Sequence, residues 1–436
     1  MANETTEAPR KTRFVPSAPS SIEDTGLGIA FLTDLAIKIL YVEGDILGYE
    51  LAERMKLPHA GVVEELLSNL KREQFCEVKG TGGIGGSHGL GRAVYRYSIT
   101  DKGRAMAREA MARCQYVGPA PVPLRQYNRA IDRQSFRDRK VHRHGLERVL
   151  SHLVVDEQTM AHLGAAVNSR RSIFLFGPPG NGKTAISESI GQLVLQGRLY
   201  IPHAVETGHQ VIKIFDSVNH LRVEDSGKRK NGRDRRWIPV RRPVITVGGE
   251  LTLGELDLIY EATSKFYEAP LQMKANGGML LVDDFGRQQA RPRDLLNRWI
   301  VPLEKRMDFL TLHTGRKIEV PFDVLIVFAT NLAPKDLVDE AFLRRIRHKI
   351  RIDDPTWDEF REIFRRVCRE QQIPYSEKGL GYLIKEHYIK RDRPKRGCHP
   401  RDLIAQLRDI ASYLDVEPAL SRELIDQACG TYFVDL

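Results

Sequence analysis

The sequence contains no long apolar run and no export signal, and both absences restrict what the chain can be. Its most apolar stretch, residues 324–329, is far shorter than the roughly 18–20 residues that a membrane-spanning helix needs. The N-terminal residues MANETTEAPRKTRF include no apolar segment of the kind that directs secretion. We therefore predict a cytoplasmic protein without membrane insertion.

Cysteine is also scarce, with five residues in a chain of 436. The number is odd and no two cysteines have CxxC spacing, which argues against a disulfide framework and against a zinc site. With 42% hydrophobic and 28% charged residues, the composition excludes a collagen-like or wholly disordered chain. The length predicts several globular domains.

The chain carries 67 Lys and Arg against 57 Asp and Glu, a formal net charge of +10. Part of the excess lies in residues 125–148, with eight basic and three acidic residues, and part in residues 228–242, with eight basic residues and one acid. Two interpretations stay open for these segments. They bind nucleic acid, or they are a solvated linker and a solvated insertion.

The N-terminal third of the chain divides by composition and pattern. Residues 1–25 are rich in Pro, Ser, Thr and charge, which predicts a disordered tail. Residues 26–114 give three helical patterns, two strand patterns and a further helix, the order of a winged helix-turn-helix domain. Its third helix carries Glu64 and Glu65, which disfavours DNA reading and favours a role in docking protein. Residues 115–148, with VGPAPVP and the basic run, are predicted to be a linker.

Beyond the linker the pattern becomes that of an α/β protein. Helical segments alternate with continuous apolar runs, which predicts a doubly wound parallel sheet covered on both faces, over residues 149–354. After that point only helical periodicity remains, so residues 355–436 are predicted to form a helical C-terminal lid. The apolar runs are residues 172–176, 211–215, 279–282 and 324–329.

The strongest motif is GPPGNGKT, which follows the apolar run SIFLF and precedes a helical pattern. GxxxxGK[ST] between a strand and a helix predicts a P-loop, whose backbone N–H groups and helix N-terminus bind phosphates. Lys183 is predicted to reach the β- and γ-phosphates of ATP, and Thr184 to bind Mg²⁺. The predicted ATP-binding residues here are Gly177, Pro178, Pro179, Gly180, Asn181, Gly182, Lys183 and Thr184.

Two later strand patterns end in residues suited to the same chemistry. MLLV is followed by Asp283, the predicted Mg²⁺ carboxylate, and by Asp284, the predicted residue that orients the attacking water. VLIVFAT is followed by Asn331, whose amide can hydrogen-bond the water or the γ-phosphate. Arg344 and Arg345, in FLRRIR, are candidates for an arginine that neutralises charge on the γ-phosphate.

Over about residues 149–436, these motifs and their order resemble the AAA+ ATPases. The resemblance implies an αβα P-loop NTPase core with a helical lid, and a ring, usually a hexamer, with ATP at the subunit boundaries. It also implies that Arg345, or second Arg344, is the arginine finger and that Arg401, in HPRDL, is the sensor-2 arginine. Asp284 departs from the family's usual Glu, which predicts slow turnover.

The whole chain is also similar to a group of bacterial AAA+ ATPases described as having chaperone activity and associated with pilus assembly. The stretches YVGPAPVPL, YEAPLQMKANGG and RPRDLLNRWIVPLEKR carry that similarity. It favours an ATPase that remodels a protein client, with Phe266 and Tyr267 or Trp237 as candidates for aromatic residues that touch it. The alternatives are a DNA-acting AAA+ ATPase of the loader, transposition or branch-migration type, and a nucleotide-switched binding module that hardly turns over.

Overall fold

The computed structural model describes residues 14–82, 94–136, 140–224, 232–337 and 343–433, and the structural statements below concern these residues. The helices are α1 (Ile29–Glu43), α2 (Gly48–Met55), α3 (Glu64–Arg72), α4 (Asp101–Arg113), α5 (Leu124–Arg133), α6 (Arg143–Val149), α7 (Glu157–Ser169), α8 (Lys183–Val194), α9 (Leu271–Lys274), α10 (Pro292–Lys305), α11 (Pro334–Leu337), α12 (Trp357–Glu370), α13 (Glu377–Leu383), α14 (His399–Tyr413) and α15 (Arg422–Tyr432).

The strands are β1 (Ile46–Leu47), β2 (Cys76–Gly82), β3 (Val94–Ile99), β4 (Val122–Pro123), β5 (Ile173–Phe176), β6 (Arg198–Pro202), β7 (Ala204–Thr207), β8 (Gln210–Lys213), β9 (Trp237–Arg241), β10 (Val244–Val247), β11 (Ile259–Glu261), β12 (Phe266–Glu268), β13 (Gly278–Val282), β14 (Met307–Thr311), β15 (Lys317–Pro321), β16 (Val324–Thr330) and β17 (His348–Arg351).

The described residues before residue 114 form a small helical unit with a three-stranded antiparallel sheet, in the order β1-β3-β2. Helix α1 follows the predicted pattern, because Leu32, Leu35, Ala36 and Leu40 recur at helical spacing and are buried. It ends at Gly44, which takes a left-handed φ of 78°. Residues 83–93, between β2 and β3, lie outside the described residues.

Residues 14–25, the described part of the predicted disordered tail, are packed against the rest of the molecule. Phe14 makes an edge-to-face contact with Trp237, with ring centroids 6.0 Å apart. Ile22 is buried in the core of the N-terminal unit, and the carbonyl of Pro16 accepts a hydrogen bond from Asp234 N at 3.0 Å. The few apolar side chains among the polar ones are sufficient to hold this segment in place.

Within residues 115–136 and 140–148, the structure has a strand and two helices where the sequence predicts a linker, which corrects that prediction. Strand β4 joins a sheet beside β7, and α5 and α6 follow it. Helix α5 has a wholly buried face formed by Tyr127, Ala130 and Ile131, and the hydroxyl of Tyr127 donates a hydrogen bond to Met273 O at 3.3 Å. Prolines and arginines dominate the composition of this segment, but the apolar residues lie at helical spacing on one side of it.

The centre of the molecule is a five-stranded parallel sheet in the order β10-β13-β16-β5-β17, which confirms the predicted mixed α/β fold with a parallel sheet. Successive residues of its inner strands contribute to two separate apolar cores, so that both faces are covered. Helices α7 and α8 pack on one face, and α10, with Trp299, packs on the other.

The sequence prediction is wrong about one core strand and does not include two others. Residues 210–213 form β8, which belongs to a second five-stranded sheet in the order β11-β12-β8-β7-β4. The core sheet instead gains β10 and β17 at its edges. Edge strands expose part of their surface, and alternate residues of β10 are exposed, so neither strand has a continuous apolar run.

The C-terminal region contains α12 to α15 around an apolar core of its own, which includes Phe360, Phe364, Leu380 and Leu407. A single π-type turn, Ile384–Ile389, continues α13. Helix α12 begins with a capping box in which Thr356 and Glu359 satisfy each other's backbone N–H groups. Among the described residues, no helix combines the length and the apolarity needed to cross a lipid bilayer.

Candidate functional site

The P-loop connects the end of β5 to the start of α8, as the motif predicts. Gly177, Gly180 and Gly182 all have φ values between 78° and 135°, a region that favours glycine. At Gly177 a side chain is excluded for a second reason, because a Cβ atom would lie 2.3 Å from the carbonyl oxygen of Ile352. The backbone therefore turns tightly at the carboxyl edge of the sheet, the edge where ligands bind in open α/β folds.

Lys183 is the first residue of α8, and its side chain turns back over the loop. Its Nζ donates hydrogen bonds to Gly177 O at 3.0 Å, Pro178 O at 2.8 Å and Asn331 Oδ1 at 2.7 Å. Burial lowers the pKa of the Lys183 amine, whereas the nearby charges of Asp284 and Asp283 raise it. The amine thus lies among neutral oxygen acceptors, with carboxylates in its surroundings.

Thr184 and Asp283 meet although they are 99 residues apart in the chain. The Thr184 hydroxyl lies 2.9 Å from Asp283 Oδ2 and 3.1 Å from Oδ1. Asp283 follows β13, and Asn331 follows β16, the strand between β13 and β5. Because the three strands are parallel, their carboxyl ends bring the P-loop, Asp283 and Asn331 to one edge, as predicted.

Asp284 is exposed beside this cluster and has a left-handed φ of 46°. Asn331 Nδ2 lies 3.3 Å from Asp284 Oδ1, so the residue predicted to orient water is close to the predicted amide. Aspartate and asparagine tolerate this backbone conformation better than glutamate does. The backbone conformation therefore suits an aspartate at this position.

Gln288 holds this turn and is not among the predicted residues. It is buried, and its Nε2 donates to the carbonyl oxygen of Asp283 at 2.9 Å. Its Oε1 accepts from the N–H of Gly286 at 2.8 Å. A glutamine five residues after an aspartate gives no sequence signal for this role, because the contact exists only once the chain has turned.

The predicted arginines do not gather at the P-loop within the described contacts. Arg345 Nε donates to Glu304 Oε1 at 2.6 Å, and Arg344 is exposed. Ala341 and Phe342, from the same predicted region, lie outside the described residues. Arg401 has a side chain that is 74% exposed and that pairs with its neighbour Asp402 at 3.0 Å.

The C-terminal region reaches the P-loop through residues just before α14 instead. Cys398 N donates to Gly180 O at 2.8 Å, and Gly397 N donates to Asn181 Oδ1 at 2.9 Å. Arg396 pairs with Asp354, which also accepts a hydrogen bond from Asn181. The signal that could have found this contact is the basic stretch KRDRPKR, residues 390–396.

The described part of the basic insertion, residues 232–242, is less exposed to solvent than the interpretation as a solvated insertion assumes. Arg236 is 1% exposed and makes a double contact with Asp234, and Arg242 is buried with its Nη1 2.6 Å from Gly277 O. Trp237, predicted to be exposed, is 4% exposed. Lys228, Arg229 and Lys230 lie outside the described residues.

The two aromatic residues predicted to touch a client also pack inward. Tyr267 is buried and forms a hydrogen bond with His313, and Phe266 is partly buried against the core of the N-terminal unit. Both lie on β12, which pairs with β8 in the second sheet. Their positions are those of core residues.

Comparison with known proteins identifies one matching family model, described as a domain of unknown function (DUF8689), over residues 356–431. No curated protein matches the chain. Among solved structures, NtrX from Brucella abortus in complex with ADP is similar at 15% identity and a TM-score of 0.40, over 66% of this chain and 57% of that chain. The chain thus spans less than two thirds of the length of NtrX.

A second similar structure is RuvB from Thermotoga maritima, described as a Holliday junction branch migration motor. It has 14% sequence identity and a TM-score of 0.39, and the match covers 65% of this chain and 71% of RuvB.

Proposed function

We propose that this chain is an AAA+ ATPase that binds ATP with Mg²⁺, hydrolyses it, and uses the energy to remodel a protein client as a ring, with a hexamer as the expected assembly. The observation that carries the proposal is the position of Lys183. It is a buried cation whose hydrogen-bond acceptors, among the residues that the structure describes, are all neutral, and it lies at the end of a P-loop. A triphosphate would supply the missing negative charge.

The donors beside Lys183 suit a magnesium ion. Thr184 and Asp283 present a hydroxyl and a carboxylate in contact with each other, and hard oxygen donors of this kind, with phosphate oxygens, are the ligands that Mg²⁺ takes in nucleotide sites. When bound, the ion would neutralise charge on the phosphates. Among the described residues, no group of three or more His, Cys, Asp or Glu side chains is placed to hold a metal ion.

The predicted roles of Asp284 and Asn331 agree with the geometry at the sheet edge. Asp284, exposed and close to Asn331, would accept a hydrogen bond from the attacking water, and Asn331 would hold both Lys183 and that water in place. Arg345 would act on the site of a neighbouring subunit. Its pairing with Glu304 would then have to open on assembly.

A protein client, in pilus or secretion-type assembly, agrees better with the surface than DNA does. The unit at residues 26–114, proposed as the winged helix, presents Glu64 and Glu65 on the exposed side of α3. In the basic insertion, residues 228–242, the side chains of Arg236 and Arg242 are buried and are not available to bind DNA. Residues 355–436 are proposed as the lid.

The second candidate is a DNA-acting AAA+ ATPase. The observation that favours it is the net charge of +10, together with the basic residues of 228–242 other than the buried Arg236 and Arg242. One experiment separates the two. The ATPase rate is measured against protein concentration, with and without duplex DNA, at two salt concentrations, with Lys183→Ala as the inactive control. A rate that rises with assembly and ignores DNA supports protein remodelling. Stimulation by DNA that weakens with salt supports the second candidate.

A further inference from the structure

One carboxylate joins the P-loop to the C-terminal helical region. Asp354 follows β17, the neighbour of β5 in the core sheet, and its Oδ1 accepts a hydrogen bond from Asn181 Nδ2 at 2.8 Å. The same oxygen contacts the guanidinium of Arg396. The side chain of Asp354 is 28% exposed and that of Arg396 is 22% exposed, so the ion pair is partly screened from water.

Arg396 lies within electrostatic range of the predicted phosphate-binding lysine. Burial lowers the pKa of Lys183, and the positive charge of Arg396 lowers it further. The backbone N–H groups of the next two residues, Gly397 and Cys398, bond to Asn181 and Gly180, which fixes this part of the chain against the P-loop. An anion bound beside Lys183 would therefore also attract Arg396.

Other cations around Arg396 have different partners. The guanidinium of Arg393 lies 3.7 Å from the ring centroid of Phe433, and Lys395 Nζ lies 4.8 Å from that of Trp357. Arg401 faces solvent. Within the described contacts of residues 390–401, Arg396 is the cation whose partner, Asp354, is itself hydrogen-bonded to the P-loop.

We propose that Asp354 is a counter-ion that competes with the phosphates of ATP for Arg396. Without nucleotide, Asp354 holds both Asn181 and Arg396. With a triphosphate at the P-loop, Arg396 transfers to the phosphates and Asp354 keeps Asn181 alone. The inference rests on the proposed binding of ATP, and it makes the position of the C-terminal region depend on occupancy of the P-loop.

The test is a double-mutant cycle in the full chain, with affinity for a non-hydrolysable ATP analogue measured by calorimetry. Asp354→Asn keeps an oxygen that accepts from Asn181 but removes the charge that holds Arg396, so we expect binding to tighten about three- to tenfold. Arg396→Gln should weaken binding about tenfold. In the double variant, the tightening caused by Asp354→Asn should disappear, because its cause is Arg396.

Two results would overturn the inference. One is an effect of Asp354→Asn that is the same with and without Arg396, since Asp354 would then only support the P-loop. The other is a loss of affinity in Arg401→Gln that is absent in Arg396→Gln. The arginine that acts on the phosphates would then be Arg401, as the sequence resemblance implies. The arginine comparison leaves Asp354 in place, so it decides the question even if Asp354→Asn does not fold. Arg408→Gln, at an exposed position of α14, is the matched control and should change affinity less than about twofold.

Lys183→Ala distinguishes this failure from a failure of the proposed function. If that variant binds the analogue normally, ATP binding at the P-loop is wrong. If it loses binding while the cycle shows no coupling between Asp354 and Arg396, only the competition is wrong.

Discussion

Lys183 and Arg236 are both buried cations, with 7% and 1% exposure, but the chain surrounds them differently. Arg236 contacts the carboxylate of Asp234 through two nitrogens and donates to the carbonyls of Thr25 at 2.9 Å and Pro121 at 3.2 Å. Its charge and its donors are satisfied within the protein. Lys183 donates to two carbonyls and an amide, and no carboxylate of the described residues contacts it directly.

The difference indicates what each cation is for. A buried charge with its own counter-ion is complete, and it fixes the position of the segments that it joins, here the N-terminal tail and the insertion. A buried charge with neutral acceptors is stabilised less well, and an anionic ligand can improve its environment. Burial of a cation is therefore weak evidence for a binding site, and the origin of the counter-charge is stronger evidence.

The largest effect on stability is expected from breaking the buried ion pair between Arg236 and Asp234. Arg236→Met should lower the free energy of unfolding by about 3–5 kcal/mol, because Asp234 is left buried without its partner. Denaturant unfolding measures it. The double variant Asp234→Asn with Arg236→Met should recover part of the loss. Arg235→Met, at the exposed neighbouring position, should change stability by less than about 0.5 kcal/mol. Equal losses at the two arginines would refute the distinction.

Lys183, which has only neutral acceptors among the described residues, should behave in the opposite way. Lys183→Met should weaken ATP binding by about 100-fold or more, equivalent to about 2.7 kcal/mol, because the phosphates lose their buried cation. The melting temperature should fall less than it does in Arg236→Met. Titration with ATP and thermal unfolding of the same samples give both values, with Lys378→Met, at an exposed position of α13, as the control. A large loss of stability with retained binding would reverse the assignment of the two cations.

His399 represents a third case, a buried base that remains neutral. Burial lowers its pKa to about 4, and the charge of Arg396 contributes in the same direction. Between pH 6.5 and pH 4 the unfolded chain binds a proton that the folded chain does not. The stabilisation is therefore complete above the ordinary pKa of histidine and is lost as the pH falls, by about 3 kcal/mol in total.

Urea unfolding of the wild type and of His399→Gln across this pH range measures that contribution. The variant should have a flatter dependence on pH, while His152→Gln, at an exposed position, should follow the wild type. Parallel curves for the wild type and His399→Gln would show that His399 titrates normally.

The smallest effect is expected at Asp284, where the comparison concerns backbone rather than charge. Asp284→Glu keeps the charge, but a longer side chain is less favourable at φ 46°, so turnover should fall about two- to fivefold. Steady-state ATPase rates at saturating ATP measure it, and Asp284→Asn, which suits the backbone but lacks the charge, separates the two terms. Faster turnover in Asp284→Glu would mean that the shorter side chain limits catalysis.

Sequence reasoning succeeds where one local pattern determines the structure. Strands β5, β13 and β16 are buried on both faces and give continuous apolar runs, and their ends place Gly177, Asp283 and Asn331 at one edge. The glycines of the P-loop are identified by their spacing alone.

It fails where contacts join distant segments. Asn181 and Asp354 are 173 residues apart, and no local pattern links them. Composition also misled, because arginines and prolines concealed the buried face of α5 and the buried pair at Asp234 and Arg236. A charged segment is solvated only if its charges lack partners inside the protein.

The packed segment at residues 14–25 has a practical consequence for work with shortened chains. The sequence suggests that cutting before residue 26 would remove only a tail, but the cut would uncover the ring of Trp237 and remove the Thr25 carbonyl that accepts from Arg236. Such a chain would expose apolar surface and retain a buried cation with one acceptor fewer. Poor solubility of a protein trimmed at that boundary would reflect the trimming and not an intrinsic property of the remaining fold.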